Sequence, residues 1–237
     1  MKKILTTAIL CAGLVGFTAC DSFLDEEPKS SLTLDTYYKT SADIIGNVNY
    51  LYRDGAPDKM GNMTGAYRGS SLSVMNMVTG YFVNEYEGQE VDCSYARQLT
   101  RQDFTQSCCN YLTNDTWKSC YKSINVANAV IKYVDGVEMD NQAQYKAEAR
   151  FFRALNYFYL VKMFGDVPMV TEPTEDATLV EYPTRTAASE VFNTVIIPDL
   201  QFAVENLPNA TFAGNSHRVT KYAADMLLAD VYMRLGE

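Results

Sequence analysis

The sequence predicts an all-α fold of stacked helical hairpins interrupted by one long loop-rich insert. Three observations predict it. In residues 147–170, Ala147, Phe151, Ala154, Leu155, Phe158 and Val161 recur every three or four residues, the period of one helix face. The same small-then-large pattern returns in Ala224, Leu228 and Val231. Between about 55 and 113 that periodicity is lost, and Gly61, Gly65, Gly69, Gly80 and Gly88 punctuate a tyrosine-containing polar stretch.

The spacing Ala147-x3-Phe151-x2-Ala154 is that of the second helix of a tetratricopeptide-type hairpin, where alanine lets a neighbouring helix approach and phenylalanine fills the groove beside it. Gly165 stands where the helix needs a left-handed C-terminal residue, and Pro168 prevents the helix from resuming. An ordinary buried amphipathic helix would share these features.

The chain begins with Lys2 and Lys3, then an apolar run from Ile4 to Phe17, too short to span a bilayer. The run ends in Phe17-Thr18-Ala19-Cys20, so residues 1–19 read as a lipoprotein signal and Cys20 as the lipidated first residue of the mature chain. Phe17 departs from the usual leucine, and a plain secretory signal with a chance cysteine is the alternative. Asp21, Asp25, Glu26 and Glu27 make residues 20–40 an acidic tether. An acidic cluster directly after the cysteine resembles the surface-export signal of lipoproteins in Bacteroidota-type bacteria.

Thr40-Ser41 opens a helix through Ile44, Ile45, Val48, Leu51 and Tyr52, which stops near Gly55-Ala56-Pro57. Within the 55–113 insert a short helix is expected over Leu72–Val83, with loops elsewhere. Helices resume at Asn114 or Asp115 and carry Trp117, Tyr121, Ile124, Ala127 and Ile131 until Asp135-Gly136. Asn141 opens the next helix. After a Pro/Thr/Glu-rich connector over 171–183, Thr186 or Ser189 starts a helix that Pro198 must kink or split. Leu207-Pro208 closes it, Gly214–Arg218 turns, and Thr220 caps the last helix, which Gly236 ends. Two hairpins result, 114–165 and 187–236. The first is longer than the standard unit, because Trp117 lies thirty residues before Ala147.

Composition narrows the function. The formal charge is −9, and loss of Lys2 and Lys3 with the signal makes it −11, so no basic face is available for nucleic acid. His217 is the only histidine, and Cys93, Cys108, Cys109 and Cys120 show no ligand spacing, so no zinc site or other cofactor is implied. An exported location permits a disulfide among these four, with the pairing open. His217 has no nucleophile at a recognisable spacing. Glu85 and Glu87 are adjacent loop acids, too common a feature to indicate glycoside hydrolysis. No catalytic residues are assigned.

The ordered combination of motifs resembles the SusD/RagB family of outer-membrane nutrient-binding lipoproteins. It starts at Cys20-Asp21-Ser22-Phe23-Leu24-Asp25 and continues with Trp117-x3-Tyr121-x2-Ile124-x2-Ala127-Asn128. The strongest part runs from Glu148-Ala149-Arg150-Phe151-Phe152-Arg153-Ala154 to Phe164-Gly165-Asp166-Val167-Pro168. Tyr182-Pro183-Thr184-Arg185, Ile196-Ile197-Pro198-Asp199-Leu200 and Arg218-Val219-Thr220-Lys221 follow. The resemblance implies a non-enzymatic scaffold of tetratricopeptide-like hairpins, anchored in the outer membrane and facing the cell exterior. Such a protein captures glycan, or in some members peptide, and covers a SusC-type TonB-dependent transporter. It also implies a chain roughly twice as long, with a second half after Glu237 that contributes part of the ligand site.

Sugar recognition needs ring faces for C–H stacking and carboxylates, amides or guanidinium groups for hydroxyls. In the insert, Tyr67, Arg68, Tyr81, Glu85, Tyr86, Tyr95 and Arg97 supply both, and they are the candidate ligand residues. The same tyrosines could instead pack the insert on the scaffold. Trp117, on a helical face, reads as core, and Arg150 and Arg153 read as partners of nearby carboxylates. A helical-repeat adaptor that binds only peptide or protein is the alternative function.

Overall fold

The structure, a computed structural model, describes residues 34–53, 78–81, 98, 100–102, 107–174 and 183–236. Every element of regular structure in them is helical. A four-residue turn α1 (Leu34–Tyr37) leads into α2 (Ser41–Arg53), and α3 (Ser107–Tyr133) runs through a short 3-10 turn (Val134–Gly136) towards α4 (Gln142–Phe164). Then come α5 (Ala188–Val191), a π turn (Phe192–Ile196), α6 (Ile197–Asn206), a 3-10 turn (Ala213–Asn215) and α7 (Lys221–Leu235). Helix α3 packs on α4, α4 on α6 and α6 on α7, while α2 lies against α3 and α4. This is the predicted pair of stacked hairpins with one further helix on the open side.

Helix α2 starts with a reciprocal cap. The Thr40 amide donates to Asp43 Oδ2 at 2.8 Å, and the Asp43 amide donates to Thr40 Oγ1 at 3.4 Å. Its Ile44, Val48 and Leu51 are fully buried, as the period of its apolar residues requires. Tyr38, just ahead of it, stacks on Tyr133 with ring centroids 5.1 Å apart, and burial pushes its hydroxyl pKa up to about 12.

Helix α3 begins at Ser107, not at Asn114 or Asp115. Thr105 and Ser107 are N-cap residue types just as Asn114 and Asp115 are, so residue type alone does not choose between the two starts. The α3 run from Trp117 to Tyr133 and the connection over 134–141 together account for the long spacing between Trp117 and Ala147. Helix α4 begins after Asn141, as predicted, but Asn141 is left-handed (φ 57°) and makes no side-chain cap. Gln142 ties α4 back to the preceding turn instead: its Nε2 donates to the Val134 and Val137 carbonyls at 2.8 and 3.0 Å. Gly165 ends α4 at φ 68°, with its amide donating to the Val161 carbonyl.

After α4 the chain is strapped across the hairpin. Tyr121 Oη donates to the Pro168 carbonyl at 2.7 Å, Asn128 Nδ2 donates to the Val170 and Glu172 carbonyls, and Asn125 Oδ1 accepts from the Thr174 amide at 2.7 Å. Tyr157 Oη bonds both the amide and the carbonyl of Val170, and burial raises its pKa to about 12. An antiparallel bridge between Val167 and Thr186 closes the far side of the connector.

Pro198 neither breaks the helix nor leaves it straight. Five residues of π turn precede it, closed by the Ile197 amide on the Phe192 carbonyl, and proline falls in the first turn of α6. Widening the helix there accommodates the missing N–H and the ring of Pro198. The next residue, Asp199, is buried and joins α6 to α4. Its two oxygens accept from Arg153 Nε at 2.7 Å and Nη2 at 2.9 Å, and Arg153 Nη1 donates to Asn128 on α3 at 2.9 Å. Burial pushes the Asp199 carboxyl up, and Arg153 and Arg150 pull it back down.

Candidate ligand-binding site

The insert leaves the scaffold after Arg53 at the C-terminal end of α2 and returns before Ser107 at the start of α3. Of the candidate ligand residues, Tyr81 is described. Tyr67, Arg68, Glu85, Tyr86, Tyr95 and Arg97 lie outside the described residues, as does Cys20. Residues 78–81 form a turn and not the helix expected over Leu72–Val83. Gly80 adopts φ 77°, a left-handed conformation that interrupts a helix and favours glycine. The Tyr81 amide donates to Thr79 Oγ1 at 3.3 Å, and Gln102 Nε2 donates to the Val78 carbonyl at 3.2 Å, tying this turn to the returning chain. Tyr81 is 91% exposed. Among the described residues its ring packs on nothing, and it presents a bare face with a hydroxyl at its tip.

A buried polar cluster fixes the root of the insert. Glu148 on α4 is fully buried and accepts from Tyr52 Oη at 2.8 Å, from Gln144 Nε2 at 3.1 Å and from the Arg218 guanidinium at 2.5–3.0 Å. Tyr52 lies in the last turn of α2 before the insert, and its hydroxyl also accepts the Val219 amide at 2.9 Å. Arg218 reaches Asn49 Oδ1 at 2.7 Å and lies between the rings of Tyr52 (4.9 Å) and Tyr145 (5.3 Å). Burial and the neighbouring Glu148 carboxylate push the Tyr52 hydroxyl well above its ordinary pKa. Burial works against the charge of Arg218, but the bonds from Glu148 hold its guanidinium pKa above the usual value. The cluster ties α2, α4 and the segment before α7 into one frame from which the insert springs.

The sequence assigns no role to Glu148, Tyr52 or Arg218, although Glu148 and Arg218 stand in two of the quoted motifs. Their partners lie 70 or more residues apart in the chain, a separation that no spacing rule reaches. The available signal is indirect: Glu148 is a carboxylate between Ala147 and Ala149 on a helix that buries almost everything near it.

Trp117 is half-buried. Tyr121 and Phe164 flank its ring at 5.0 and 5.1 Å, and the Arg185 guanidinium lies over it at 5.6 Å. It is a packing residue. Among the described residues no group of three or more His, Cys, Asp or Glu side chains could hold a metal ion. No helix among them is long and apolar enough to cross a membrane.

Residues 22–233 match the profile of the SusD-like family, described as starch-binding and associating with the outer membrane. SusD-like protein P2 of Formosa agariphila is 29% identical over all of this chain, which covers 44% of that protein. A SusD-like protein of Bacteroides ovatus is 29% identical over 97% of this chain and 38% of its own length. The crystal structure of a SusD superfamily protein from Parabacteroides distasonis superposes with a TM-score of 0.63 at 26% identity, over 85% of this chain and 40% of that one. The chain thus spans less than half the length of these relatives.

Proposed function

Since the chain belongs to the SusD-like family, we propose that it is a surface lipoprotein that binds glycan and hands it to a SusC-type TonB-dependent transporter. The match over residues 22–233, to a family described as starch-binding, carries this reading. Three features of the chain support it. The apolar run ending at Ala19-Cys20 provides a lipid attachment point. Tyr81 offers an exposed ring face within the insert. The Glu148–Arg218–Tyr52 cluster gives the insert a rigid root, and recognition groups tend to sit on loops held by such a frame. The other insert candidates, Tyr67, Arg68, Glu85, Tyr86, Tyr95 and Arg97, complete the proposed recognition surface.

Migration of the protein through native gels containing soluble starch, laminarin or xyloglucan tests the glycan reading. At least one polysaccharide is expected to retard it, and Tyr81→Ala with Tyr86→Ala should weaken the retardation while the melting temperature is nearly kept. Free migration in all three gels, with capture of a transporter still intact, would favour an adaptor that binds protein only. For the anchor, Cys20→Ala should abolish palmitate labelling and release the protein from membranes, because stable attachment takes more than one acyl chain on that residue. A Cys20→Ala protein that still labels and still sediments with membranes defeats the lipoprotein assignment.

A further inference from the structure

Helix α2 has two ends, and the insert occupies one of them. At the other, Ser41 and Ile45 face the connection between α3 and α4 across a cleft of about 730 Å³ whose remaining walls are Glu138, Met139, Asp140, Asn141 and Tyr145. That volume is within the range of roughly 300–1,000 Å³ seen for small-molecule sites. We propose that this cleft is a second saccharide-binding site, selective for uncharged sugar residues. The proposal rests on the glycan-binding reading above and adds a site to it.

The polar groups here are uncommitted. Elsewhere on the same surface, polar side chains have protein partners: Asp43 bonds Thr40, Lys146 pairs with Asp135, and Gln142 bonds two carbonyls. Among the described residues, the side chains of Ser41, Glu138, Asp140 and Asn141 make no such bonds. Asn141 is held in the left-handed region at φ 57°, yet its side-chain amide does not cap α4. A non-glycine residue kept in that conformation with its side chain unused is more often found where function sets the geometry.

The chemistry selects the ligand class. Two carboxylates accept, an amide both donates and accepts, and the hydroxyls of Ser41 and Tyr145 do either, which matches the dual character of sugar hydroxyls. Tyr145 adds a ring, and Ile45 and Met139 add apolar surface for the C–H face of a pyranose. The Arg218 guanidinium packs on Tyr145 at 5.3 Å, and the buried Glu148 holds that arginine, so the ring is seated in the rigid frame. Among the described residues no group of three or more His, Cys, Asp or Glu side chains gathers to hold a metal ion. The lining holds, among the described residues, two carboxylates and no cation, so a uronate or sulfated sugar would meet like charge there.

The cleft lies at the N-terminal end of α2, and the chain enters the insert after Arg53 at the C-terminal end of that helix. One long glycan chain that touches both cleft and insert gains from effective concentration, whereas a short one engages a single site.

Amide NMR on the full chain tests the cleft, with maltohexaose, cellohexaose and laminarihexaose as uncharged probes and hexagalacturonate as the anionic one. At least one uncharged hexamer should move the signals of Asp140, Asn141 and Tyr145, and hexagalacturonate should not. Glu138→Ala with Asp140→Ala, both exposed, should raise the concentration needed at least tenfold while the spectrum stays folded. The tyrosine pair of the insert should leave the cleft signals responsive. If the hexamers move insert signals and leave these three still, the cleft proposal falls and the glycan reading stands. If they move nothing, both fall. Movement of the cleft signals by hexagalacturonate overturns the selectivity.

Discussion

Helices α4 and α7 carry the same small-then-large pattern, yet α4 buries twelve of its residues and α7 buries two, Ala224 and Val231. The difference lies in what surrounds them. Helix α4 meets α2, α3 and α6 on different sides, so even off-stripe positions such as Glu148, Arg153 and Asn156 are enclosed. Helix α7 packs mainly on α6, and Met226 and Met233 remain 76% and 72% exposed. A heptad-scale pattern reports which face a helix can bury. How much of the helix ends up enclosed depends on the number of neighbours, which the pattern does not contain. The polar residues of α4 show the consequence. Enclosed polar groups are held by partners: Glu148 pairs with Arg218, Arg153 with Asp199 and Asn128, and Asn156 Nδ2 donates to the Phe152 carbonyl.

Substitutions on the two helices sharpen the contrast. Arg153→Ala removes the bidentate partner of a buried carboxylate, with Arg150 Nε left 3.7 Å from Asp199 as a poor substitute. Breaking such a pair costs about 3–5 kcal/mol. Met226→Ala on α7 should lie within about 0.5 kcal/mol of the parent, as exposed substitutions do. Chemical denaturation of both variants measures the two values. Equal losses would mean that the outer face of α7 is covered in solution and that the contrast between the helices does not exist there.

The sequence carried much of the fold and little of the site. Both hairpins, the terminator glycines at 165 and 236 and the long spacing from Trp117 were legible because each depends on local periodicity or on one residue's backbone preference. The start of α3 at Ser107 was not, since Thr105, Ser107, Asn114 and Asp115 are all residue types that favour an N-cap. At Pro198 the perturbation was foreseeable but its form was not, because a kink, a break and a π turn all accommodate a missing N–H. Asn141 and Thr220 stand at the predicted helix starts, although neither makes a side-chain cap. Composition offered Tyr81 as a candidate, and the structure describes it as exposed. The Glu148–Arg218–Tyr52 cluster and the cleft at Tyr145 were not legible, because both are assembled from segments that the chain separates widely.

The smallest expected effect concerns helix ends. Helix α2 has a reciprocal side-chain cap, whereas α4 and α7 start without one. The Thr40 hydroxyl and backbone amide donate to Asp43 and lower its pKa below the ordinary 3.8. A carboxylate whose folded pKa lies below its unfolded value adds stability that is fully present above the unfolded value and is lost as pH falls through the folded one. Asp43 is fully exposed to solvent, so the contribution is small, and salt should screen its charge component further. Its position in the first turn adds a favourable interaction with the helix dipole that also requires the charge. Asp43→Asn keeps an acceptor and removes the titration. The gap in denaturation midpoint between parent and variant should therefore be present at neutral pH and begin to close as pH drops below about 4, where even an unperturbed carboxyl takes up its proton. The lower end of that closure marks the folded pKa. A gap that stays constant down to acid pH would show that the cap works through geometry alone. In that case α2 would differ from α4 and α7 only in having a hydrogen-bond acceptor at its start, and not in holding a charge there.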